Sequence, residues 1–259
     1  MLLTIDAGNT NTVFAVFNGE TLVSQWRMAT QPRHTADEYG IWLLQLLAHK
    51  RLKPESISAA IAASVVPQAQ FELKSLCQRY FNCELRMVGA DNMQTGIVAR
   101  VDRPHEVGAD RLVNAFAAWR RHGVPLIVVD FGTATTFDIV NAKGEYIGGV
   151  IAPGVNLSLD TLHRAAAKLP DVAVAHPARV IGTDTVSAMQ SGIYFGYVGL
   201  IEGIVSRICG EYGARMKVIA TGGLAPLYAK AAAVIEALEP DLTLWGLQGI
   251  YALNNEKEK

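Results

Sequence analysis

Apolar residues come in short blocks at two places along the chain. Residues 2–5, 12–17 and 21–28 form one set, and residues 126–129, 136–140 and 146–151 form another. Their length and their β-branched and aromatic content predict strands. Asn18-Gly19, between the second and third blocks, is a strong hairpin signal because both residues tolerate positive φ. Thr35-Ala36-Asp37-Glu38 has the spacing of a capping box and opens a helix with Tyr39, Leu43, Leu44 and Leu47 on one side. Pro54 closes that region. The small apolar run 57–66 predicts a buried strand, and a helix follows Pro67 through Phe71, Leu73, Leu76 and Tyr80. A strand at 85–88 completes a β-β-β-α-β-α-β order. Residues 92–107 lack periodicity and predict a loop.

A helix opened by Gly108-Ala109-Asp110-Arg111 carries Leu112, Phe116 and Trp119 and stops at Gly123, linking the two halves. Beyond the second set of strands, Pro153-Gly154 leads into a helix at 156–166. A long helical pattern then spans 185–212, followed by a strand at 217–221, the turn Gly222-Gly223, and helices at 226–238 and 244–253. The tail 254–259 is polar and predicted to fray. In the long helix Gly192, Gly196, Gly199 and Gly203 share one stripe. Each mid-helix glycine costs ~1 kcal/mol relative to alanine, so the stripe predicts that another backbone packs there.

The two sets of strands are copies of one pattern. Leu3-Thr4-Ile5-Asp6-Ala7-Gly8-Asn9-Thr10-Asn11-Thr12-Val13 is answered, 124 positions later, by Ile127-Val128-Val129-Asp130-Phe131-Gly132-Thr133-Ala134-Thr135-Thr136-Phe137. After one inserted residue Gly19-Glu20 is answered by Gly144-Glu145. Each copy is strand, Asp-x-Gly, a small polar run, and strand. Two such turns suggest two half-sites for one polyanion.

Composition narrows the class. Half of the 259 residues are apolar, enough to bury a core without staples. A net charge of −1 gives no electrostatic reason to expect nucleic acid or an anionic membrane as partner. The cysteines at 77, 83 and 209 are odd in number and lack paired metal-ligand spacing, as expected of reduced cytosolic thiols. The N-terminus enters a strand without the basic and apolar regions of a signal peptide, and the apolar stretch 193–205 is interrupted by Glu202. A soluble cytoplasmic protein is expected.

The chemistry lies in the turns. In Asp6-Ala7-Gly8-Asn9-Thr10 the glycine lets backbone N–H groups approach a phosphate, while Asn9 and Thr10 add polar contacts. A carboxylate repels phosphate, so Asp6 makes sense as a ligand for Mg²⁺, direct or through water. An Asx-turn closing a hairpin is the plainer alternative for one copy alone. Asp130-Phe131-Gly132-Thr133 has the same parts, and Gly222-Gly223 permits close approach to a nucleobase or ribose, or is simply a strand-to-helix turn. In Gly108-Ala109-Asp110-Arg111, Asp110 is either a helix cap or a base that takes a proton from an attacking hydroxyl. Arg111 would then hold a substrate carboxylate or phosphate. The P-loop, dinucleotide, zincin and nucleophile-elbow motifs are absent from the sequence.

These residues, taken in order with Gly148-Gly149, Pro153-Gly154, Lys168-Leu169-Pro170, Thr185-Val186, Met189-Gln190-Ser191-Gly192 and Gly222-Gly223-Leu224-Ala225, resemble type III pantothenate kinases. The resemblance runs across nearly the whole chain. It implies an α/β protein of the acetate/sugar kinase, Hsp70 and actin superfamily, with two ribonuclease-H-like (actin-like) domains, here 1–114 and 115–259, that clamp a nucleotide. Each would be a mixed five-stranded sheet opening with three antiparallel strands, with helices on both faces.

The resemblance further implies ATP-dependent phosphorylation of pantothenate to 4′-phosphopantothenate, the first step of coenzyme A synthesis. Asp6, Ala7, Gly8, Asn9, Thr10, Asn11, Thr12 and Val13 would form the phosphate turn, with Asp6 near Mg²⁺. Gly108, Ala109, Asp110 and Arg111 would contact pantothenate, with Asp110 as proton acceptor. Asp130 would hold K⁺ or NH₄⁺, Thr133 would touch ATP, and Thr185 would reach pantothenate from the neighbouring subunit of a homodimer. Arg100-Val101-Asp102-Arg103-Pro104 departs from the family, which usually carries Tyr where Val101 stands, so a hydroxyl lining the substrate pocket is replaced by an aliphatic group. Two other readings remain open at this point. One is a non-catalytic nucleotide-binding relative; the other is a phosphotransferase or phosphatase of the same superfamily acting on a sugar or polyphosphate.

Overall fold

A computed structural model describes residues 1–31, 33–90, 93–166 and 169–255. Lys168 and most of the polar tail, residues 256–259, lie outside the described residues. The chain forms two compact units, residues 1–117 with 242–259, and residues 118–241.

The first unit opens with β1 (Leu2–Ala7), β2 (Asn11–Asn18) and β3 (Thr21–Ala29), then α1 (Ala36–His49), β4 (Ala59–Ser64), α2 (Pro67–Phe81) and β5 (Leu85–Met87). The strands lie in the order β3-β2-β1-β4-β5, with β1–β2 and β2–β3 antiparallel and β1–β4 and β4–β5 parallel. The hairpin turn falls on Gly19-Glu20, with Gly19 at φ +59°. The Thr35 capping box forms as expected, with Thr35 and Glu38 capping each other. The expected loop 92–107 holds a two-residue strand, β6 (Val98–Ala99), and a 3₁₀ turn at Pro104–Glu106. The linking helix is α3 (Ala109–His122).

Alternation along the strands sends side chains to both faces of this sheet. Leu3, Ile5, Phe14 and Val16 pack with Tyr39, Leu43, Leu73 and Leu76 of α1 and α2. The opposite face is covered by the last helix, α7 (Leu242–Asn255), whose Trp245 meets Phe17 edge-on at 5.2 Å. A chain boundary at 114/115 would place this helix with the second half; its contacts group it with the first. The physical reason is burial: a sheet apolar on both faces needs helices on both.

The second unit contains β7 (Leu126–Phe131), β8 (Ala134–Val140), β9 (Glu145–Pro153), α4 (Val155–Ala165), α5 (Thr185–Tyr212), β10 (Lys217–Gly222), α6 (Ala225–Tyr228) and β11 (Ala237–Leu238). Its strands run in the order β11-β10-β7-β8-β9, antiparallel at β7–β8–β9 and parallel at β7–β10–β11. One expectation fails here. The helix expected over 226–238 is one turn long, and Ala237 and Leu238 instead pair with Ile219 and Ala220. The open edge of β10 offers hydrogen bonds that an isolated alanine-rich segment takes up, as in Glu239 N–H to Ala220 O at 2.8 Å. Tyr194, Tyr197, Ile201 and Val205 of α5 join the core of this unit. Among the described residues, α5 is the one helix long and apolar enough to cross a membrane by length and composition.

Candidate active site

Each unit carries its Asp-x-Gly turn at the same place in its sheet. Asp6 is the penultimate residue of β1, facing Val13 of β2 and Ala63 of β4. Asp130 is the penultimate residue of β7, facing Thr136 of β8 and Thr221 of β10. Both carboxylates therefore leave the carboxyl end of a central strand flanked by one antiparallel and one parallel neighbour. The turns close differently. Gly8 N–H donates to Asn11 O at 3.0 Å, while Gly132 N–H donates to Ala134 O at 3.0 Å, one residue sooner. The first turn thus exposes Asn9, Thr10 and Asn11, and the second exposes Gly132 and Thr133.

A threonine pair supports the first turn. Thr30 Oγ1 donates to the Gly8 carbonyl at 2.7 Å and lies 2.8 Å from Thr12 Oγ1, and Thr30 N–H donates to Thr10 O at 2.9 Å. Because Thr30 gives its hydroxyl proton to Gly8, the proton between the two hydroxyls comes from Thr12. These bonds hold carbonyls of the turn on its protein side. Thr30 belongs to no motif in the sequence; only the register of β2 and β3 brings it to Gly8.

The second turn is held by two glycines. At Gly222, φ is +92° and a Cβ would stand 2.5 Å from Asp130 Oδ1 and 2.7 Å from the Phe131 N and O atoms. At Gly154, which precedes α4, a Cβ would overlap the Thr133 carbonyl oxygen and stand 2.8 Å from Gly132 O. Phe131 stacks on the buried Tyr228 ring at 5.2 Å with 4° between planes. Behind it, the Tyr197 hydroxyl donates to Pro153 O at 2.8 Å. The sequence offered Gly222-Gly223 as a place for close approach of a nucleobase or ribose or as a plain strand-to-helix turn; the structure adds that Gly222 leaves room for a carboxylate and its backbone.

Asp110 lies in the first turn of α3. Gly108 O accepts from the Arg111 and Leu112 N–H groups at 3.1 and 3.2 Å, so the helix starts at Gly108. The Asp110 Oδ1 atom accepts from Arg111 N–H at 2.9 Å and occupies space that a side chain on Gly108 would need, 2.5 Å from its Cβ position. Burial pushes the Asp110 carboxyl above its ordinary value, opposed by the Arg111 N–H bond and guanidinium. Val101 is half-buried just ahead of the 3₁₀ turn that leads to this helix.

Thr185 is the first residue of α5, exposed, behind a cap in which the Asp184 carboxylate accepts from Ser187 N–H at 3.0 Å. It lines an apolar cavity of about 420 Å³ with Leu162, Leu169, Met189 and Gly192. Asp6 to Val13 and Gly108 to Arg111 thus belong to the first unit, and Asp130, Thr133 and Thr185 to the second. Among the described residues no three His, Cys, Asp or Glu side chains converge as a metal cluster. A lone carboxylate completed by phosphates and water suits Mg²⁺, and a carboxylate beside backbone carbonyls, as at Asp130, suits a larger hard cation.

Two mixed sheets, each opening with three antiparallel strands and presenting an Asp-x-Gly turn at its centre, define an actin-like fold. A solved structure from Sinorhizobium meliloti, a protein provisionally assigned as a 2-dehydro-3-deoxygalactonokinase, shares this fold with a TM-score of 0.60. It is 15% identical, over 98% of this chain and 96% of that one. The family model for type III pantothenate kinase matches residues 2–207. Type III pantothenate kinases of Paramagnetospirillum magneticum and Rhodospirillum rubrum are 60% and 57% identical, each over 98% of this chain and over 98% and 99% of their own length. The chain belongs to the type III pantothenate kinase family.

Proposed function

We propose that Asp110 is the base in transfer of the ATP γ-phosphoryl group to the primary hydroxyl of pantothenate. Family membership makes the chain a pantothenate kinase, a transferase at the entry to coenzyme A biosynthesis. The observation that carries the residue assignment is the half-buried Asp110 carboxyl, which loss of solvent makes more basic and which Gly108 leaves room for. Accepting the hydroxyl proton there sharpens the nucleophile, and Arg111 beside it suits the pantothenate carboxylate.

Phosphoryl transfer needs positioning and charge neutralisation more than covalent help. Residues 6–13 supply backbone N–H groups and the side chains of Asn9, Thr10 and Asn11 to the phosphates. Asp6 would hold Mg²⁺ through water, and Mg²⁺ would offset phosphate charge. Asp130 would hold K⁺ or NH₄⁺ with neighbouring carbonyls, while Thr133 reaches ATP. Gly108 and Ala109 line the pantothenate pocket. The test is ADP release in K⁺ buffer with pantothenate, sugars and acetate offered in parallel. Release that depends on pantothenate alone is expected, and release with a sugar but not pantothenate would overturn the reading.

A homodimer accompanies this reading. Gly192, Gly196 and Gly199 are exposed, and among the described residues a Cβ at any of them would have no neighbour within 4 Å beyond its own helix turn. On this reading the backbone expected against the stripe would be α5 of a second copy. That packing would cover the apolar surface that makes α5 look membrane-compatible and would bring Thr185 to a neighbour's pantothenate. A cytoplasmic enzyme follows.

A further inference from the structure

The first unit holds a pair of thiols that phosphoryl transfer does not use. Cys77 is in the last turns of α2 and fully buried, and Cys83 is half-buried just before β5. Between them Asn82 adopts the left-handed conformation at φ 51°, and Cys83 N–H donates to the Cys77 carbonyl at 3.2 Å. The helix thus ends in a left-handed cap that turns the chain back, so that Cys83 N–H meets the carbonyl six residues earlier and the Cys83 side chain packs against the buried cluster that contains Cys77. Cys83 also faces a cavity of about 840 Å³ lined by Lys74, Gln78, Asn82, Glu84 and Arg86. Arg86 is fixed there, donating to Asn255 Oδ1 at 2.8 Å with its guanidinium carbon 5.5 Å from the centre of the Tyr251 ring.

We propose that Cys77 and Cys83 form a redox modification site whose oxidant is a small disulfide bearing carboxylates, held in this cavity by Lys74 and Arg86. The Cys83 thiolate attacks one sulfur of the disulfide, forming a mixed disulfide and expelling the other half as a thiolate. Cys77 then gives up its proton and attacks the Cys83 sulfur, closing an intramolecular disulfide and expelling the second half as a thiol. Two protein thiols are oxidised and one small disulfide is reduced to two thiols. The roles follow from position: the accessible sulfur attacks and the buried one resolves, so no outside thiol reaches Cys77. The neighbouring Cys77 thiol also holds the Cys83 thiol below its ordinary pKa, while Cys83 and burial raise that of Cys77, which fits the same order of events.

The inference does not depend on the kinase reading. It is tested on the full chain in a glutathione disulfide buffer, by free-thiol titration and non-reducing intact mass. Wild type should fall from three free thiols to one, lose two mass units and retain no glutathione. Cys77→Ala should keep one glutathione on Cys83, and Cys83→Ser should leave Cys77 reduced. At low salt glutathione disulfide should react about threefold or more faster than neutral hydroxyethyl disulfide, a preference lost at high salt. Three persisting thiols, a stable glutathione adduct on wild type, or Cys209 reacting ahead of Cys83 would each overturn the proposal.

Discussion

Replacing Gly108 with alanine is the sharpest test of how the active site is built. A Cβ there has one close neighbour, Asp110 Oδ1 at 2.5 Å; the next atoms, Asp110 Cγ and Arg111 Cγ, lie at 3.7 and 3.8 Å. The carboxylate oxygen must retreat by about 0.9 Å to reach an ordinary 3.4 Å contact. It then gives up its bond from Arg111 N–H, now 2.9 Å. A misplacement of ~1 Å at a reacting group costs ~10²-fold in rate, so kcat should fall by about that factor. Global stability should hardly move. Loss of glycine at a helix start costs up to ~1 kcal/mol, and reduced freedom of the unfolded chain returns about half to all of it. The assay is coupled ADP release at saturating ATP and pantothenate, with thermal unfolding alongside. A KM for ATP within about threefold of wild type and a Tm within ~4 °C would localise the damage to Asp110. A kcat within threefold of wild type would refute the argument.

Asp110→Asn should lower kcat by ~10²–10⁴-fold while stabilising the free enzyme at neutral pH. The folded state binds this proton more tightly than the unfolded chain, so the group's contribution to stability is full below the unfolded carboxyl's pKa and lost as pH rises through the folded value. Unfolding scans from pH 4 to 8 should therefore show the Asn variant gaining on wild type as pH increases; a constant difference would contradict burial as the cause. Thr30→Val removes the hydroxyl that holds the Gly8 carbonyl and should raise the KM for ATP by about fivefold, with Ser restoring it, since one such bond is worth ~1 kcal/mol. Exchange of K⁺ for Na⁺ should raise the KM for ATP through Asp130, and an unchanged value would remove the cation from that turn. Gly199→Leu, whose Cβ has no neighbour within 4 Å among the described residues, should convert a dimer to a folded monomer in light scattering if α5 packs on a second copy.

Much of the fold was legible because local signals were strong and agreed. The capping box at Thr35, the helix over Thr185–Tyr212 and the duplicated strand-turn-strand all appear where the sequence placed them. Residues 229–238 misled because helix propensity is a weak local preference, and the open edge of β10 outweighed it. The membership of α7 misled for a related reason: its apolar surface is evident in sequence, but which sheet lacks a cover is not.

The sequence by itself determined the duplicated Asp-x-Gly turns, the unduplicated Gly-x-Asp-Arg between them, and through these the family and its reaction. Those features are short-range, with chemistry and spacing written into neighbouring residues. Only the tertiary structure decided what surrounds each carboxylate. Thr30 reaches the Gly8 carbonyl from 22 residues away, and Gly222 makes room for Asp130 across a parallel pair of strands. Burial, not any adjacent residue, raises the Asp110 pKa. Solvation and close contact are set by atoms distant in the chain, and so they are decided by the packing of the fold.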